Sequence, residues 1–141
     1  MAADLAGFTL DSFALLSYLD GEAGMPRVQA ILSQALAGTR TANLSLINLG
    51  EALYIVERER GWAAAQRALA AVDQLPIRVV PVSRVTVLAA AHIKAHYAVS
   101  YADAFAVVTA QDSNAVLVTG DPEYRPIAEA GLVKIEWLPR R

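Results

Sequence analysis

The sequence contains no cysteine. Disulfides and thiolate metal sites are therefore excluded, and the composition fits a reducing compartment such as the cytoplasm. Charge is also scarce: charged residues make up 18% of the chain against 55% apolar. Even so, no apolar run reaches the roughly 20 residues of a membrane span, and no membrane partner is expected. The opening MAADLAGFTLDSF lacks a basic n-region and an apolar h-region, so no secretory signal is expected. A basic excess is missing too. A net charge of −2 argues against a protein that coats nucleic acid through its phosphates alone. It leaves room for an acidic pocket neutralised by a metal.

What is present fills 141 residues with no break in composition. That length suits one domain, residues 1–141, with a sizeable core. GFTL at 7–10 reads as a short buried strand. Asp11-Ser12 opens an apolar helix, FALLSYL, and Met25-Pro26 opens a second that closes at Gly38. RTAN at 40–43 reads as a short strand, and Ser45 caps a longer helix closed by Gly61. Another helix covers 62–75. IRVVPV at 77–82 is a β-branched strand, taken as central, and Ser83 caps the helix that follows. Ser100 caps a helix that leads into the strand AVLVTG, 115–120. Asp121-Pro122 starts a short helix, and residues 132–137 read as a last strand. Strands alternating with helices imply a three-layer α/β/α sandwich on a mainly parallel sheet. Ligands of such sheets sit at the carboxyl ends of the strands.

Four acids gather interest. Asp11, Asp103 and Asp121 each stand at a helix start, where a carboxylate caps free N–H groups and meets the positive end of the helix dipole. Capping alone explains each of them singly. Glu51 has no such explanation. Ile47 lies one turn before it and Ile55 one turn after, so it falls within an apolar stripe, where an ionised carboxylate needs a partner. Four carboxylates together would suit Mg²⁺ or Mn²⁺ and metal-assisted phosphodiester hydrolysis. Setting those four aside leaves ten acids against twelve Lys and Arg, a surplus of +2.

Other groups carry weaker signals. Glu123 is an extra acid for which a helix-start role is favoured. His92 and His96, four apart on one helix face, have a spacing that can hold zinc, but no H-E-x-x-H pattern accompanies them and a surface role is favoured. Arg58, Arg60 and Arg125 could meet RNA phosphates, although Glu57 to Arg60 reads more simply as a solvated face.

Four blocks in order carry a family likeness. They are Leu10-Asp11-Ser12-Phe13-Ala14-Leu15-Leu16, Asn48-Leu49-Gly50-Glu51-Ala52-Leu53, Ser100-Tyr101-Ala102-Asp103-Ala104 and Leu117-Val118-Thr119-Gly120-Asp121. With them the chain resembles PIN-domain ribonucleases, most of all the VapC toxins of bacterial VapBC toxin–antitoxin pairs. The resemblance implies an Mg²⁺-dependent endoribonuclease with RNA as substrate. It implies that Asp11, Glu51, Asp103 and Asp121 line the metal site, with Asp11 and Asp103 in direct contact and Thr119 and Ser12 holding the carboxylates or a metal-bound water. It further implies a homodimer and a VapB-like antitoxin, lying over Phe13 to Leu19 and Val28 to Leu36 unless those residues are simply core. Two other functions remain open. One is a PIN-type nuclease of RNA processing rather than a toxin. The other is an inactive α/β binding or signalling module. A receiver-like version of the latter would want an acid at the end of the central strand, and IRVVPVS has none.

Overall fold

The computed structural model describes residues 7–140. Five parallel strands form one sheet: β1 (Phe8–Leu10), β2 (Ala42–Ser45), β3 (Arg78–Val80), β4 (Val116–Thr119) and β5 (Ile135–Trp137), in the spatial order β3-β2-β1-β4-β5. Seven helices connect and cover them: α1 (Ser12–Leu19), α2 (Met25–Leu36), α3 (Leu46–Arg60), α4 (Trp62–Asp73), α5 (Arg84–His96), α6 (Tyr101–Asp112) and α7 (Arg125–Glu129). The expected parallel α/β sandwich is therefore present. No helix among the described residues is long and apolar enough to cross a membrane.

The alternation of side chains along each strand divides the interior in two. Phe8 and Leu10 of β1, Ala42 and Leu44 of β2, and Val118 of β4 face a core completed by Ala14, Leu15, Val28, Ile31 and Leu32 of α1 and α2. Leu117, one residue from Val118, faces the other core, built from Phe105, Val107 and Val108 of α6 with Ile93, Tyr124 and Ile127. Leu10, Leu44, Leu117 and Val118 are fully buried, each side chain contributing roughly 1.5–3 kcal/mol.

Helix starts follow the expected caps. Asp11, Ser45, Ser83, Ser100 and Asp121 all accept a backbone N–H from the turn they open. Gly38, Gly61 and Gly131 take positive φ just after α2, α3 and α7, the backbone state that glycine enters most easily.

Four expectations need correction. The strand IRVVPV is not central: β3 is an edge strand, pairing only with β2, and its Arg78 is exposed. A β-branched run signals a strand but not its place in the sheet. The second strand begins at Ala42 and runs to Ser45 rather than covering 40–43. The segment after Asp121 is a 3-10 turn, Pro122–Tyr124, followed by α7, instead of one helix. Finally, Ala14, Leu15, Val28, Ile31 and Leu32, expected under a partner, belong to the protein's own core. Phe13, Leu16 and Leu19 are half-buried and Leu36 is exposed.

Candidate functional site

β1 and β4 are neighbours in space but 108 residues apart in sequence, judged at Asp11 and Thr119. From β1 the chain moves outward to β2 and β3; it returns to the other side of β1 as β4 and β5. The strand order thus reverses between β1 and β4, and the carboxyl ends of such strands leave a crevice. Leu10 pairs with Val118, so the next residues, Asp11 and Thr119, stand opposite each other at the crevice mouth. By alternation they share a face with Thr9 and Leu117, the face that α6 covers.

Asp11 is buried, at 2% exposure. Its Oδ1 accepts the Ala14 N–H at 2.8 Å, and its Oδ2 accepts the Thr119 hydroxyl at 2.6 Å. The Thr119 Oγ1 in turn accepts the Asp121 N–H at 3.0 Å. One hydroxyl therefore ties the end of β1 to the loop after β4. Asp121 caps the 3-10 turn through the Glu123 N–H at 2.9 Å.

Asp103 comes from the first turn of α6, where Ser100 accepts its N–H at 3.1 Å. The Tyr124 hydroxyl donates to Asp103 Oδ1 at 2.9 Å. Tyr124 has no exposure at all and belongs to the 3-10 turn that follows Asp121. Asp103 Oδ2 is buried and has no hydrogen-bond partner among the described residues. Asn48 of α3 donates to the carbonyl of Ala102 at 3.1 Å, bracing the same turn. Glu51, one helical turn beyond Asn48, is half-buried and accepts a hydrogen bond from the Ser12 hydroxyl.

These side chains converge. Asp11, Ser12, Glu51, Ser100, Asp103, Asp121 and Glu123 line one cleft of about 270 Å³, with Phe13, Leu16 and Ile55 as its apolar wall. Within it, carboxylate oxygens of Asp103, Asp121 and Glu123 lie within 4.8 Å of one another. The cleft includes all four sequence-identified acids, but the tightest group is not the expected one. Glu123 joins it, while Asp11 spends both oxygens on protein donors. The local sequence showed Glu123 only as a first-turn acid. Its convergence with Asp103 depends on the packing of the 3-10 turn against α6, which no local pattern reports.

The electrostatics follow from burial and crowding. Burial pushes the Asp11 carboxyl up to about 7, against the Thr119 and Ala14 hydrogen bonds, and the charges of Asp103 and Asp121 push it the same way. Asp103 is raised to about 6, by burial first, then by Asp121 and Glu51, against its bonds to Tyr124 and Ser100. Burial and the neighbouring Asp11 and Asp103 charges raise the Tyr124 phenol well above its usual value, so it stays a proton donor. A divalent cation reverses such shifts by favouring the ionised carboxylates. The donor set fits one: three convergent carboxylates, of which Asp103 keeps a buried oxygen with no hydrogen-bond partner among the described residues.

The remaining candidates lie outside this cleft. His92 and His96 are exposed, with ring centroids 4.5 Å apart, and His96 Nδ1 lies 2.9 Å from the His92 carbonyl oxygen, a helix-surface arrangement. Arg60 pairs with Asp20 at 2.9 Å, and Arg58 lies over the Tyr54 ring.

Comparison with known proteins places the geometry in context. A family model described as PIN domain matches residues 8–130. Comparison with curated proteins by sequence yields no significant match. Among solved structures, the chain is similar to one from Rickettsia felis VapBC2 bound to a promoter DNA fragment. There the TM-score is 0.72 at 16% identity, over 94% of this chain and 98% of that one. It is also similar to Mycobacterium tuberculosis VapC20, a toxin that cleaves the sarcin-ricin loop (TM-score 0.66, 20% identity, 94% and 100% coverage). DNA-bound VapBC from Salmonella typhimurium gives 0.64 at 21% identity over 93% and 97%.

Proposed function

This chain belongs to the PIN-domain family, and on that premise we propose that it is a divalent-metal-dependent endoribonuclease, the toxin of a toxin–antitoxin pair. The observation that carries the reading is the convergence of Asp103, Asp121 and Glu123, beside Asp11 and Glu51, at the mouth between β1 and β4. Asp103, Asp121 and Glu123 would hold Mg²⁺ or Mn²⁺. Once bound, such an ion supplies an activated water and charge stabilisation at phosphorus.

The chain's own residues supply the rest. Thr119 fixes Asp11 and the Asp121 backbone in one register. Tyr124 holds one oxygen of Asp103 and leaves the other without a hydrogen-bond partner among the described residues. Ser12 orients Glu51. Phe13, Leu16 and Ile55 form an apolar wall, and low-dielectric surroundings strengthen charge interactions beside them. Site acids on rigid element ends also keep the geometry preorganised.

The toxin assignment draws on the similarity to VapBC structures, which supports a VapB-like antitoxin as partner. A homodimer fits the exposed apolar residues: Val85 and Leu88 stand one turn apart on α5, at 74% and 56% exposure. The cysteine-free composition suits action in the cytoplasm, where RNA is the substrate.

The test is direct. Purified protein is incubated with structured RNA, with and without Mg²⁺, beside Asp11→Asn and Asp103→Asn variants. Cleavage should require the metal and fall at least about 100-fold in each variant. Absence of RNA cleavage by the wild type, or equal cleavage by the variants, would refute the mechanism. Growth arrest on expression, relieved by a small protein encoded beside it, would separate a toxin from an RNA-processing nuclease.

A further inference from the structure

A second cavity opens beside the acidic one. It has a volume of about 410 Å³ and is lined by Gly120, Pro122, Arg125, Glu129, Trp137 and Arg140, among others. Gly120 and Pro122 flank Asp121, so the two openings share one loop. Trp137, at the end of edge strand β5, is 45% exposed. Arg125 and Arg140 are exposed, and neither takes part in a salt bridge or side-chain hydrogen bond among the described residues. Two guanidiniums face one acid, Glu129, so this groove is positive where its neighbour is strongly negative.

The acidic cleft itself repels a polyanion. A nucleic acid brought to it needs anchoring cations close by, and the aromatic-plus-arginine pairing provides one: phosphates meet guanidiniums while a base stacks on the indole face. We propose that the Trp137–Arg125–Arg140 groove is a subsite for single-stranded RNA flanking the scissile phosphate. The proposal rests on the nuclease reading above. One unpaired base stacks on Trp137, and the phosphates on either side lie against Arg125 and Arg140. The groove selects unpaired RNA without reading its sequence, because every base offers a ring face. Its position beside Asp121 sets the distance from the stacked base to the cut.

The experiment uses the full chain carrying Trp62→Phe, a change far from both cavities in sequence and on the exposed start of α4, so that Trp137 is the only indole. A single-stranded RNA decamer is titrated in EDTA. Expected are quenching of Trp137 and an affinity lowered about tenfold by Arg125→Gln or Arg140→Gln. Each of these two variants should also flatten the salt dependence by about 0.7 in log–log slope. With Mg²⁺, the arginine variants and Trp137→Ala should raise KM far more than they lower kcat. RNA cleaved normally by the wild type, with no quenching of Trp137 and with KM unchanged in the arginine variants, would overturn the subsite and leave the nuclease reading standing. Failure of the wild type both to bind and to cleave RNA would instead remove the nuclease reading and the subsite together. Protection of Trp137 by a co-expressed antitoxin, without any response to RNA, would make the groove a protein contact and overturn the proposal. The arginine variants lie on the surface, so the outcome does not depend on Trp137→Ala folding well.

Discussion

Thr119→Val changes one group in the site while nearly conserving volume. The residue has no exposure, and valine fills its space, so no cavity term enters. What disappears is one oxygen with two bonds: a short donation to Asp11 Oδ2 and an acceptance from the Asp121 N–H. The first is charge-assisted when Asp11 is ionised and contributes about 1.5–3 kcal/mol; the second leaves a backbone donor without its partner, at about 1–3 kcal/mol. Together the loss at pH 8 is about 2.5–6 kcal/mol, a large share of the 5–15 kcal/mol typical of a domain. The Thr119 bond also lowers the Asp11 pKa against burial, so its removal drives that pKa further above about 7. At pH 5 the carboxyl is neutral in both proteins, and the difference should shrink toward the about 1–3 kcal/mol of the orphaned Asp121 N–H. Urea unfolding in EDTA at pH 5 and pH 8 measures both values. Thr119→Ser keeps the hydroxyl and should lose only about 1 kcal/mol for its methyl, equally at both pH values. A Thr119→Val loss that is the same at pH 5 and pH 8, or below 1 kcal/mol at pH 8, would refute the coupling.

Two further outcomes test the same electrostatics. Tyr124→Phe removes only the hydroxyl that holds Asp103 Oδ1; it should lower Mn²⁺ affinity about 10–100-fold, read by electron paramagnetic resonance, while the fold survives by circular dichroism. The raised carboxyls of Asp11 and Asp103, at about 7 and about 6, bind protons more tightly folded than unfolded. Their contribution to stability is therefore complete below about pH 4 and is lost as pH rises through 6 and 7. In EDTA the melting temperature should fall from pH 5 to pH 8 in a calorimetric scan, and millimolar Mg²⁺ should restore it chiefly at pH 8.

Much of this architecture could be read from local chemistry. Asp11, Ser45, Ser83, Ser100 and Asp121 announce helix starts because capping is a property of one turn. Glu51 stood out because its neighbours at helical spacing are isoleucines. Long-range facts were less visible. The β-branched run before Ser83 says strand, but its edge position depends on which strand pairs with β2. Val28, Ile31 and Leu32 form an apolar stripe that looks the same whether a partner or the protein's own sheet covers it. Glu123 and Tyr124 take their roles only when the turn after β4 folds against α6. The sequence there shows an ordinary capped turn.

The bond between Thr119 and Asp11 joins residues separated by 108 positions. During synthesis β1, β2 and β3 can pair as they emerge, yet Asp11 stays without its Thr119 partner until β4 is made. Asp121, Glu123 and Tyr124 arrive later still. A nascent chain therefore carries its acids for most of its synthesis without an assembled centre. The centre is complete only late, after β4 lies beside β1 and the turn that follows it has folded. On the nuclease reading proposed above, that order shields the message being translated and leaves time for an inhibitor to be waiting when the centre closes.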